Sequence, residues 1–255
     1  MLAPTETKPR FACTDWWEKI QAGETPMAAV PINEARAAKA LAFFNRLRLP
    51  DVPGNPPLSE ACGDWFRDIL VAFLASEDPE TKRRLVWELL CMVPKKNSKT
   101  TYVAALGLTA LFMEEAPNRQ MLIVAPSQNI SQRCFEQAQG MIRIDARLDA
   151  IFKITDNLKS ISRRKTGTDL QVKTFDTSIV TGEIPILTII DELHELRHRL
   201  FIRLRLPDQS ADDAKDIANA MIELGDEKLL TRACLMAFRG RLVCETQNDL
   251  DERRA

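Results

Sequence analysis

The sequence has almost no net charge: 35 lysines and arginines nearly cancel 36 aspartates and glutamates, leaving −1 at pH 7. Bulk attraction to nucleic acid is therefore not expected, and any such contact must come from a local patch. Close cysteine pairs are missing as well. Cys13, Cys62, Cys91, Cys134, Cys234 and Cys244 are scattered along the chain, without the spacing of a zinc site or the density of a disulfide scaffold, so reduced thiols are expected. No apolar run approaches the roughly 18 residues of a membrane helix. The start, MLAPTETKPR, lacks the basic-then-apolar plan of a signal peptide. A soluble, cytoplasmic protein with no membrane partner is the expectation. Internal repeats and low-complexity tracts are also absent. What remains is an ordinary soluble composition, 45% hydrophobic and 28% charged, in 255 residues. That is enough for one large domain, with or without appendages.

The local patterning predicts an alternation of strands and helices. Residues 1–57 read as a helical appendage and linker: Thr14 can cap a first helix, a second runs over 33–47, and LPDVPGNPP at 49–57 breaks the helical pattern. Trp65, Ile69, Leu70, Phe73 and Leu74 recur at helical spacing within 59–75. LVWELLCMV (85–93), QMLIVA (120–125), 170–175 and 184–190 are short runs of strand length, with helices predicted over 99–115 and 129–142. This alternation favours an α/β fold, a mostly parallel sheet with helices on both faces.

Between a predicted strand and a predicted helix lies the loop VPKKNSKT (93–100). A helix N-terminus presents unpaired N–H groups and partial positive charge, so this is where triphosphate oxygens are attracted. Lys99 would reach the β and γ phosphates, and the Thr100 hydroxyl would ligate Mg²⁺. The loop departs twice from G-x-x-x-x-G-K-[ST], with Val93 and Ser98 in the glycine places. Taken alone, a Lys-Thr opening a helix is more often solvent-facing decoration. A second motif joins it: the apolar run 186–190 delivers Asp191 and Glu192 at a strand end. There an aspartate can anchor Mg²⁺, and the following glutamate can polarise the water that attacks the γ phosphate. The bland alternative is a pair of solvated acids capping the next helix. The two motifs occur in the order a P-loop ATPase requires, and together they favour that reading.

Other residues have weaker signals. Thr181-Gly182 can turn beside the nucleotide but reads better as a surface turn. His194 and His198 stand four apart without a third ligand at useful spacing, so zinc is not expected.

The combination resembles the ATPase half of tailed-bacteriophage terminase large subunits. VPKKNSKT resembles that family's Walker A variant, in which serine can replace glycine. IVAPSQ (123–128) resembles the strand and turn after the first helix, and KTFDTSIVTG followed by IPILTIIDELHEL resembles the approach to Walker B and its strand. The segment LRLPDVPGNPPLSEACGDWFRDILVAFLASEDPETKRR resembles the family's lead-in, so that the resemblance spans about 10–196.

The resemblance implies an ATP hydrolase of the P-loop, Mg²⁺-dependent type. Pro94, Lys96, Asn97, Ser98, Lys99 and Thr100 would hold nucleotide, Trp65 would contact adenine, and Thr100 and Asp191 would hold metal. Glu192, Lys99 and Lys95 would serve catalysis. It further implies double-stranded DNA, the terminase small subunit and the portal protein as partners, a homo-oligomeric ring, and the bacterial host cytoplasm as location. Two departures are visible: Trp65 is followed by Phe66 where some members have Trp-Gln, and Lys95 stands where many have arginine, replacing a planar fork with a point charge.

Residues 58–196 are thus the expected ATPase core. Residues 197–255 form an atypical segment without the expected continuation or a nuclease's acidic cluster, as a truncated or frame-altered prophage product would have. No nuclease activity is expected from them. Arg197, Arg199, Arg203 and Arg205 can touch DNA phosphates, though a solvated face is the plainer reading. Two other functions fit the same residues: a DExH helicase-like ATPase, which needs a second motor domain, and a remnant that binds nucleotide or partner subunits without turnover.

Overall fold

The computed structural model describes residues 15–27, 29–86, 89–92, 97–175, 185–192 and 235–237. Its helices are α1 (Trp16–Ala22), α2 (Glu34–Phe44), α3 (Leu58–Ala61), α4 (Asp64–Ala75), α5 (Lys99–Met113), α6 (Gln128–Arg143) and α7 (Ala146–Ile151). The strands are β1 (Leu90–Met92), β2 (Gln120–Ala125), β3 (Phe152–Thr155), β4 (Ser160–Arg163), β5 (Asp169–Thr174), β6 (Leu187–Ile190) and β7 (Leu235–Ala237). No described helix is long and apolar enough to cross a membrane.

The chain divides into two compact units, one of residues 1–33, 71–95 and 207–255, the other of 34–70 and 96–206. In the first, β1 pairs antiparallel with β7. Arg84 also lies over the Phe73 ring at 4.2 Å and donates to the Phe73 carbonyl, which fixes the turn after α4.

The second unit contains an open five-stranded sheet in the order β3-β4-β5-β2-β6. β5, β2 and β6 are parallel neighbours, and β4 runs against both β3 and β5. Four of the five strands therefore point the same way. The central strand β2 is buried from Met121 to Ala125, as expected of an uninterrupted apolar run in a parallel sheet.

The sequence predicts β2, α5, α6, β5 and β6 to within a few residues. It does not predict the hairpin β3–β4, whose connecting turn uses Lys159 at φ +46° rather than the usual glycine or asparagine. The helix expected over 59–75 is broken into α3 and α4 around Cys62 and Gly63.

Helix α5 is apolar on nearly every side, and Tyr102, Met113 and all of Ala104–Leu111 are buried. A helix of this kind must be covered all round. On one side it lies so close to the sheet that a Cβ at Gly107 would meet Ile123 and Leu170 at 3.0 Å. On another, Phe112 stacks on Phe43 of α2 at 4.2 Å.

The proline-rich segment expected as a linker is a closed loop of the second unit. Leu49 N–H donates to the Pro56 carbonyl and Asn55, at φ +46°, donates to the Leu49 carbonyl. Pro50 packs so closely on α6 that a Cβ at Gly140 would meet it at 2.6 Å.

Candidate active site

The parallel register aligns the carboxyl ends of β2, β5 and β6 on one edge of the sheet. In open α/β sheets this edge is where ligands bind. The backbone N–H of Asp191 still donates to the Val124 carbonyl at 2.9 Å, so the strand pairing reaches the first acidic residue. Glu192 then turns out of the sheet at φ +54°, a left-handed conformation unusual for a side chain of this size.

Helix α5 begins at the same place. Its N-cap is Ser98 at φ +53°, ψ +27°, and no side chain caps the helix. This is a conformation glycine adopts freely and serine at a cost of about 1–2 kcal/mol, which accounts for the glycine of the standard phosphate-loop pattern at this position. Ser98 nonetheless takes it up, and its carbonyl accepts the first helical bond from Tyr102 N–H at 3.0 Å.

The two motifs, 91 positions apart, meet through two side-chain contacts. The Thr100 hydroxyl donates to Asp191 Oδ2 at 2.9 Å. Lys99 Nζ lies 3.4 Å from Glu192 Oε1, with both side chains about a quarter exposed. Asp191 is 4% exposed. Burial pushes its carboxyl above the ordinary carboxylate range; the Thr100 hydrogen bond opposes that shift, and the neighbouring charge of Glu192 adds to it. Cys134 of α6 is fully buried and close enough to feel the Asp191 charge; burial and that charge both push its thiol well up.

A hydroxyl and a destabilised carboxylate in contact are donors suited to a hard cation such as Mg²⁺, which is commonly held by one or two carboxylates with waters and phosphate oxygens. Among the described residues no group of three or more His, Cys, Asp or Glu could hold a metal by itself.

A second cluster flanks the first turn of α5. The Trp65 ring stands edge-on to Phe66 at 5.4 Å and to Tyr102 at 5.9 Å, and Phe66 lies 5.0 Å from Tyr102. Tyr102 donates from its hydroxyl to the Ala61 carbonyl at 3.2 Å, tying the lead-in segment to the helix that carries Lys99 and Thr100. Trp65 folds back over Gly63, where a Cβ would meet its ring at 2.7 Å. Phe66 and Tyr102 are buried, whereas Trp65 is only half-buried. Desolvation raises the Cys62 thiol to about 11 and the Tyr102 hydroxyl to about 12, so both stay protonated at neutral pH.

Of the residues singled out in the sequence, Lys99, Thr100, Asp191 and Glu192 come together, with Ser98 beside them and Asn97 half-buried at the loop end. Pro94, Lys95, Lys96, Thr181, Gly182, His194, His198 and the arginines at 197, 199, 203 and 205 lie outside the described residues. Tyr102 belongs to neither sequence motif, and its position three residues after Lys99, on the first turn of the predicted helix, is the signal that marks it.

A family model described as terminase large subunit, ATPase domain, matches residues 80–212, just over half of the chain and beyond residue 196, where the sequence resemblance had been expected to end. Among solved structures, the HK97 bacteriophage large terminase matches with a TM-score of 0.53 and 22% identity, over 71% of this chain and 34% of that one. At that identity the likeness concerns the fold, and the chain spans about a third of the length of that terminase. No curated protein matches. With the family match covering most of the sheet and both motifs, the chain belongs to the ATPase domain family of terminase large subunits.

Proposed function

We propose that this chain is the ATP-hydrolysing motor part of a terminase large subunit, powering the packaging of double-stranded DNA into procapsids. The carrying observation is the meeting of Lys99 and Thr100 with Glu192 and Asp191 at the carboxyl edge of the sheet. The N-terminus of α5 and the Lys99 ammonium would bind the phosphates and neutralise charge at the β and γ oxygens. Trp65, half-buried beside Tyr102, would contact adenine, Pro94, Lys96, Asn97 and Ser98 would complete the phosphate loop, and Lys95 would serve catalysis. The Thr100 hydroxyl and the Asp191 carboxylate would hold Mg²⁺, which supplies charge neutralisation at the triphosphate when bound.

Glu192 would orient a water in line with the γ phosphorus and accept its proton as the new P–O bond forms. The bond to the ADP oxygen then breaks, releasing ADP and phosphate. In the assembled motor the partners would be DNA, the terminase small subunit, the portal protein and further copies in a ring, in the cytoplasm of a bacterial host.

Steady-state phosphate release from ATP and Mg²⁺ tests this reading. Lys99→Ala should lower the rate at least about a hundredfold. Hydrolysis at the parent rate would remove Lys99 from the site.

A further inference from the structure

The Lys99–Glu192 ion pair joins the group proposed to grip phosphate to the group proposed to activate water. Each Lys99 N–H turned toward Glu192 is one fewer for a triphosphate, and the Glu192 oxygen that faces Lys99 is one fewer for a water, so the pair and the nucleotide compete for the same groups. Both side chains are largely withdrawn from solvent, so their attraction is screened less than that of an open surface pair. The backbone on either side is also strained: Ser98 precedes Lys99 at φ +53°, and Glu192 itself is at φ +54°. Strained residues of this kind persist where surrounding contacts over-determine them, and they concentrate at switch regions.

Resting on the nucleotide-site reading above, we infer that the Lys99–Glu192 pair is a latch. It holds the nucleotide-free site in a self-neutralised, hydrolysis-incompetent state, and arriving phosphates open it by competing for Lys99. Phosphate binding thereby frees the Glu192 carboxylate, so that the water-activating group is released only once there is a phosphate to attack. The competing anion is chemically simple, a nucleoside diphosphate or triphosphate tail, and no metal is needed for the exchange. Because the latch must be broken on binding, nucleotide affinity is lowered by its strength.

The test is ADP binding by titration calorimetry in EDTA, with the parent chain, Glu192→Gln, Glu192→Asp, Lys99→Met and the double variant Lys99→Met/Glu192→Gln, each checked by circular dichroism for folding. The latch predicts that Glu192→Gln tightens ADP about three- to tenfold. Glu192→Asp, which keeps the charge but shortens the reach, should tighten it in the same direction. On the Lys99→Met background the Glu192→Gln effect should shrink to less than about 1.5-fold, since the partner is gone.

Equal tightening on both backgrounds would mean plain repulsion between Glu192 and the phosphates and would overturn the latch. Unchanged affinity in Glu192→Gln would overturn it too. ADP binding by the double variant as tight as by Glu192→Gln, or no ADP binding by any of the five proteins, would instead bring down the nucleotide-site reading and the latch with it.

Discussion

The two ends of helix α5 use the same kinds of charge to opposite effect. At its start, Asp191 is buried against Thr100 and its carboxyl is held above the usual range by desolvation. Just past its end, Glu115 lies half in solvent and accepts from Lys165 at 2.9 Å, Arg163 at 3.2 Å and Lys39 at 3.2 Å. These contacts, with Lys165 the largest, hold Glu115 down at about 2. Lys39 and Arg163 also lie over the Phe112 ring, at 5.6 and 5.4 Å, so the cations are packed as well as paired. The far end is thus built for cohesion. The near end spends stability on a buried acid and on the left-handed residues Ser98 and Glu192, and strain of this kind is tolerated where it serves function.

The comparison can be broken most effectively at Asp191. Because its carboxyl is raised, the folded protein retains a proton that the unfolded chain would release. Stability without metal therefore falls as pH rises from the ordinary carboxylate value, near 3.8, through the raised one. Asp191→Asn should remove that cost, stabilising the metal-free protein at neutral pH by roughly 0.5–2 kcal/mol while abolishing Mg²⁺-dependent turnover. Thermal melts across pH check it: the gain should be absent in acid and present at neutrality. A loss of stability at pH 7 would show that the buried carboxylate holds the site together.

Glu115 gives the smaller and opposite effect. Its stabilisation is fully present above its unfolded value, near 4.5, and is lost as pH falls toward about 2. Glu115→Gln should therefore lower the melting temperature slightly at pH 7, with the difference closing in acid, and leave ATP turnover as in the parent. High salt should shrink it further, because Lys39 and Lys165 are exposed.

Much of this contrast lies at different depths in the sequence. The strand run QMLIVA and the apolar residues before Asp191 mark the core of the sheet and its functional edge, because burial on both faces demands unbroken apolar runs. Lys99, Thr100, Asp191 and Glu192 could be picked out because a strand end and a helix start are positions with chemical meaning. Which carboxylate meets which partner was not legible, since that depends on parallel register and on the left-handed turns at Ser98 and Glu192, which glycine would have signalled and these residues do not.

The hairpin β3–β4 escaped for the same reason at Lys159. The prolines of 49–57 suggested a linker, yet the hydrogen bonds of Asn55 and the contact of Pro50 with Gly140 make that segment part of the packed second unit. The cations around Glu115 come from α2, the end of β4 and the turn after it, a convergence that no spacing in the chain announces.

The central claim, that these four residues form one hydrolytic site, is tested most directly by phosphate release from ATP and Mg²⁺ in the Glu192→Gln protein, measured alongside ATP binding. Binding retained with turnover reduced about 10²–10⁴-fold is the predicted result. Turnover at the parent rate would contradict it.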